Sequence, residues 1–197
     1  MKIRLSSLSI LVMVFAFATT SMAQNTQQSK DRVAEIRRIY NEAQANAKRS
    51  ADNMVSVTQR EKSDGHTSIV TQDFFYTVGI VEGPEIPYYK LNLLRRTVKG
   101  TIDTYEEFLF DDEESLVFYF YSGEEEKGVK VETRWYAGAA DDGTALTVKK
   151  FTDTKTNKDV TSRYADRLGM PWDEGFMHRY ANDMQEAFNH ITLRGWD

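Results

Sequence analysis

The chain has 197 residues, with 25 basic against 30 acidic side chains and no cysteine. Without cysteine there is no disulfide, thiolate metal site, thiol nucleophile or lipid-attachment cysteine. The net charge of −5 argues against nucleic acid, whose phosphates require a concentrated basic surface.

Lys2 and Arg4 precede an apolar run over residues 8–18, followed by Ser21-Met22-Ala23, with small residues three and one before a cut ahead of Gln24. That pattern predicts a secretory signal peptide. The apolar run is shorter than the ~20 residues of a bilayer span, so no transmembrane segment is expected after cleavage. The product would be exported, to the periplasm or outside the cell. Removing Lys2 and Arg4 leaves 23 basic side chains against 30 acidic ones, a net charge of −7. Roughly 170 residues remain, about one domain's worth. The expected organisation is a signal peptide over residues 1–23, a flexible leader over 24–30 and a single α+β domain over 31–197.

Residues 24–30 are polar and without periodicity, which is the signature of a disordered leader. From Asp31 onward Val33, Ile36, Ile39, Tyr40, Ala43 and Ala47 recur at three- and four-residue steps, predicting an amphipathic helix capped by Asp31 or Ser29. Residues 54–60 and 67–78, separated by Lys62-Ser63-Asp64-Gly65, read as a first hairpin. Gly83-Pro84 and Pro87 interrupt the chain before a third strand at 88–98, and Lys99-Gly100 turns into a fourth at 101–110.

The fifth strand, 115–121, follows Asp111-Asp112-Glu113-Glu114 and is the centre of the layout. In Leu116-Val117-Phe118-Tyr119-Phe120-Tyr121 neither parity is polar, so both faces of this strand must be covered. An even hairpin loop would pair Phe108 and Phe110 with Val117 and Tyr119, an odd one with Phe118 and Phe120. The sixth strand, 129–137, follows a connector at 122–128, and the seventh, 145–151, follows Gly138 to Gly143. Short connectors favour neighbouring antiparallel strands. Residues 152–159 read as a loop or frayed hairpin, and Thr161 or Ser162 caps a short helix ended by Gly169 and Pro171. On a last helix, 173–191, Phe176, Met177, Tyr180, Met184, Ala187, Phe188 and Ile191 share one face. The fold class is therefore α+β: an amino-terminal helix, a curved antiparallel meander of about seven strands and a carboxy-terminal helix.

Several of these segments also carry a resemblance. Ile36-Arg37-Arg38-Ile39-Tyr40-Asn41-Glu42-Ala43, Tyr89-Lys90-Leu91 running to Arg95-Arg96, Tyr105-Glu106-Glu107-Phe108-Leu109-Phe110-Asp111, Leu116-Val117-Phe118-Tyr119-Phe120 and Glu132-Thr133-Arg134-Trp135-Tyr136 together resemble an uncharacterised family of exported bacterial proteins. The likeness covers most of the mature chain up to about residue 150. It implies the compartment and the layout and brings no activity with it.

Chemistry-bearing motifs are sparse. Glu174/His178 and Glu186/His190 have the four-residue spacing of helical metal ligands. On the wheel, with Glu174 at zero, His178 falls at about 40° and His190 at about 160°, so the pairs cannot share a metal. Nucleophile contexts, His-Glu-x-x-His and glycine-rich phosphate loops are absent. In a meander the acidic connectors alternate between sheet ends, which gathers Glu82 and Glu85, Asp111, Asp112, Glu113 and Glu114, and Asp141 and Asp142 at one end. Glu124, Glu125 and Glu126 fall at the other. Clustered carboxylates are candidate calcium ligands, although charged turns also serve solubility. Tyr119, Tyr121, Trp135 and Tyr136 are candidate ligand-stacking residues if left uncovered, and core if not. No cofactor is implied. The expected function is an exported, non-enzymatic domain binding a protein or small ligand; the alternative is a hydrolase acting on glycan or peptide through paired carboxylates.

Overall fold

The computed structural model describes residues 7–49, 53–63, 65–81, 86–140, 142–167 and 174–193, and for the first helix the side chains from residue 27 onward. Lys2, Arg4, Asp64, Glu82, Gly83, Pro84, Glu85, Asp141, Gly169 and Pro171 lie outside the described residues. Helix α1 (Ser7–Arg49) is followed by β1 (Met54–Ser63), β2 (His66–Val81), β3 (Ile86–Lys99), β4 (Thr104–Phe110), β5 (Leu116–Glu126), β6 (Val129–Tyr136), β7 (Leu146–Asp153) and β8 (Lys158–Asp159). A 3-10 helix (Thr161–Arg167) and helix α2 (Glu174–Leu193) complete the chain. The strands form one antiparallel sheet in sequence order, so each pairs with its neighbours in the chain.

Two adjacent rows of side chains running across the strands explain why this sheet needs two helices. Phe74, Leu94, Phe108, Tyr119 and Trp135 stand opposite one another in register. One residue along, Phe75, Leu93, Leu109, Phe118 and Tyr136 form the next row. Successive residues of a strand point to opposite faces, so each face receives one wholly apolar row. The first row packs with Met177, Ala181 and Phe188 of α2, and the second with Ile36 of α1, flanked by Val33, Tyr40 and Ala43. The aromatic strand β5 lies near the centre of the order, buried on both sides.

The hairpin register follows the even-loop alternative at Phe108↔Tyr119, and then a bulge after Leu109 pairs Phe110 with Leu116. The extra residue, Val117, joins Phe118 against α1, while Leu116 joins the α2 side. Asp111 closes the connector by accepting the N–H groups of Glu113 and Ser115.

Three sequence expectations are corrected. Residues 24–30 are helical and continue α1, where a disordered leader was expected. Gln27 donates to Asp31 one turn on at 2.8 Å, Ser29 donates its hydroxyl to the Ala139 carbonyl, and Arg32 donates to the Ala137 carbonyl. Glutamine and lysine tolerate helix well, and these ties to the β6–β7 connector hold the segment against the sheet. Asp31 and Ser29 are consequently interior to the helix and cap nothing. The connector predicted over residues 122–128 shrinks to Lys127 and Gly128, because β5 continues through Glu126. Its acidic residues are employed locally: Glu124 accepts the Gly128 N–H, Glu125 pairs with Arg167 and Glu126 accepts the Tyr164 hydroxyl. The polar stretch 152–159, read as a loop or frayed hairpin, follows the hairpin alternative and adds β8 to the sheet.

Candidate functional site in a groove between α1 and the sheet

Behind each apolar row lies a polar one. On the α2 side Gln72, Arg96, Glu106 and Tyr121 are in register, and on the α1 side Asp73, Arg95, Glu107, Phe120 and Arg134. The consecutive pairs Arg95-Arg96 and Glu106-Glu107 thus form one cross-strand ion pair on each face. Both carboxylates are buried, Glu106 at 4% exposure and Glu107 at 3%. Glu106 accepts from Arg96 at 2.6 Å, Tyr119 at 2.7 Å and Tyr180 of α2 at 3.1 Å. Glu107 accepts from Arg95 at 3.2 Å, Gln44 at 2.9 Å, and Tyr40 and Tyr105 at 2.5 Å each. Arg95 also donates to the Gln44 carbonyl oxygen. Buried carboxylates are tolerated because each of their oxygens has at least one donor.

The surrounding phenols are held in their neutral, donating form. Burial, reinforced by the Glu106 charge, pushes Tyr119 and Tyr180 well above the usual phenol range. Burial and the hydrogen bond to Glu107 do the same for Tyr40 and Tyr105.

Beside this network α1 leaves part of its face uncovered. A groove of about 480 Å³ opens there, with Val33, Ile36, Arg37 and Tyr40 as the helix wall. Its floor comes from two register rows, Phe118, Tyr136 and Leu146 in one and Phe120, Arg134 and Val148 in the other. The size falls within the range of small-molecule sites, and apolar walls with a few placed polar groups are their usual composition. Arg134 stacks over the Phe120 ring at 5.2 Å and shares Glu132 with Lys130. Arg37 is exposed and makes no ion pair among the described residues. Among the described residues no carboxylate lines the groove.

Of the four aromatic candidates, Tyr136 alone reaches this groove. Tyr119 and Trp135 are buried on the α2 side, and the half-buried Tyr121 packs beside them. The acidic candidates serve their own turns: Asp111 as described, Asp112 pairing with Lys90, and Asp142 accepting the Thr144 N–H and hydroxyl. Glu113 is exposed, and Glu114 occupies a left-handed conformation at φ 60° with its carbonyl accepting from Gln185. Asp141 lies outside the described residues. Among the described residues no group of three or more histidine, aspartate or glutamate side chains is placed to hold a metal ion. His178 stands edge-on to Trp135, and His66 contacts Thr101.

The groove residues Arg37, Tyr40, Phe118, Phe120, Arg134, Leu146 and Val148 were not separable from core or surface in the sequence. The one usable signal is Arg134, a charge within a strand, which the register sets opposite Phe120. Among the described residues no helix is long and apolar enough to cross a membrane. No protein-family model matches the chain, and no curated protein or solved structure does either.

Proposed function

We propose that this chain is an exported, non-enzymatic binding domain whose small ligand occupies the groove between α1 and β5–β7. The observation that carries this reading is the groove's composition: an apolar floor, aromatic in large part, two guanidinium groups and no acid–base pair. The charged machinery nearest to it is already satisfied, since Glu107 receives four donors. Hydrolysis by paired carboxylates requires two acids flanking one bond. Glu106 and Glu107 point to opposite faces of the sheet and cannot do so. Export rests on the amino-terminal pattern of Lys2, Arg4, the apolar run and Ser21-Met22-Ala23.

The test is a fluorescence titration with N-phenyl-1-naphthylamine, an uncharged apolar probe that brightens when it leaves water. Saturable, single-site uptake is expected, and it should vanish when the groove is filled by Val148→Trp or Leu146→Trp. Val148 is 43% exposed, so its replacement leaves the core intact, and an unchanged thermal melt would verify that. Uptake that persists in both variants would place the binding elsewhere and end this assignment.

A further inference from the structure

The polarity of the groove narrows its ligand further, provided the binding role above holds. The protein carries a net negative charge, yet among the described residues its groove is lined by Arg37 and Arg134 and by no carboxylate. A guanidinium is suited to carboxylate and phosphate because its fork of N–H donors matches two oxygens at once. Arg134 is held in place on one side by Phe120 and on another by Glu132, which orients it before any ligand arrives. Arg37 projects from α1 without an ion-pair partner among the described residues. Below them Phe118, Leu146 and Val148 offer only apolar surface.

From this juxtaposition we propose that the groove binds a single-chain anionic amphiphile, a medium-length fatty carboxylate. The headgroup lies between Arg37 and Arg134, and the acyl chain lies along the floor rows of β5, β6 and β7. A neutral amphiphile gains the floor but leaves Arg37 without a counter-charge and Arg134 with Glu132 alone. A cationic one meets like charges, which is how a site of this kind rejects the wrong headgroup. Tyr40 contributes a wall and no proton, because its hydroxyl is committed to Glu107.

Displacement of bound N-phenyl-1-naphthylamine tests the headgroup directly, using dodecanoate, dodecanol and dodecyltrimethylammonium below their micellar concentrations. Dodecanoate is expected to displace the probe at a concentration at least ~10-fold below that of dodecanol, the factor expected of a charge-assisted contact. Dodecyltrimethylammonium should be the weakest of the three. In Arg37→Gln/Arg134→Gln the ratio of dodecanoate to dodecanol should collapse toward one. Equal displacement by all three in the native protein, or a carboxylate preference that survives the double substitution, would overturn the proposal while leaving the groove as a binding site. Probe uptake that Val148→Trp fails to block would instead remove the groove itself.

Discussion

On one face of the sheet Glu106 is held by Arg96, Tyr119 and Tyr180; one residue along the same strand, Glu107 is held on the other face by Arg95, Tyr40, Tyr105 and Gln44. The two networks are near mirror images, but the helices over them differ in bulk. Helix α2 covers its face with Met177, Tyr180, Met184, Phe188 and Ile191, large side chains that fill the space above the sheet. Helix α1 brings Val33, Ile36, Ile39 and Tyr40 to its face but narrows to Ala43 and Ala47, which let the helix approach closely but cover little width. The uncovered flank over β5–β7 becomes the groove. A face packed to crystal-like density has no room for a ligand; a face covered by a narrower stripe does. The mirrored ion pairs join the same two strands, and the difference in helix cover leaves one face filled and the other with an open groove.

The largest expected effect separates the two sides by stability. Phe108 is fully buried between Tyr119 and Tyr180, so Phe108→Ala should cost about 3–5 kcal/mol. Phe120 is half-buried on the groove floor, so Phe120→Ala should cost about 1–2 kcal/mol while abolishing probe uptake. Urea melts of the two variants decide the matter, and equal losses would mean that the faces are not divided in this way.

A smaller effect is expected at the ion pairs. Glu106→Gln and Glu107→Gln each leave an arginine without its counter-charge in a partly buried place, at a cost of about 2–4 kcal/mol. Exchanging both partners for apolar residues, as in Arg96→Met/Glu106→Leu, should recover much of that loss, because two desolvated charges leave together. If the pairs serve mainly register, the apolar double variant would remain stable yet show heterogeneous amide spectra, since a one-residue slip sends every side chain to the opposite face.

These residues mark where sequence reading stops. The run from Leu116 to Tyr121 announced a strand covered on both sides, because alternation of apolar types is a property of the strand alone. Nothing in the spacing marks Glu106 and Glu107 as buried, since their partners are Arg95 and Arg96 across β3, Tyr105 and Tyr119 on the sheet, and Tyr40 and Tyr180 on the two helices. The clue was available in the arithmetic of the hairpin: Arg-Arg and Glu-Glu sit at matching distances from the turn between β3 and β4. The bulge after Leu109 was not legible, because either loop parity buries an acceptable set of side chains. The helical state of residues 24–30 was hidden for a similar reason: Ser29, and Arg32 just beyond the segment, are tied to the Ala139 and Ala137 carbonyls, far away in sequence. Nothing in the spacing of α1 shows which flank of the sheet it leaves open, and so the groove could not be foreseen.

Alkaline pH addresses both faces at once. Tyr40 and Tyr105 on one side, and Tyr119 and Tyr180 on the other, have raised phenol pKa values, chiefly through burial. Above about pH 10 the unfolded chain releases these protons while the folded protein retains them, so the unfolded state binds fewer and stability falls as pH rises. The stabilisation is complete below that point and lost through the raised folded-state range. Thermal melts from about pH 8 to pH 12 should show a steep decline that begins near pH 10. Tyr180→Phe should make it shallower, and an unaltered slope in that variant would remove its phenol from the account.

The smallest effect concerns the acidic end of the sheet, where calcium is the discriminating reagent. Calcium takes six to eight oxygen ligands. One Asp111 oxygen already accepts two backbone N–H groups, Asp112 is engaged by Lys90, and Asp142 is bound to Thr144. A ligand that prefers the folded state must raise the melting temperature by mass action, whereas general screening of a negatively charged protein acts equally for any salt of the same ionic strength. Sodium chloride should therefore raise the melting temperature slightly, and millimolar calcium at matched ionic strength should add nothing. Asp111→Asn should lower stability by about 0.5–1.5 kcal/mol through its turn, equally with and without calcium. A calcium-dependent rise that survives ~150 mM salt, where the Debye length is near 8 Å, and disappears in Asp111→Asn would move the binding function from the α1 groove to this end of the sheet.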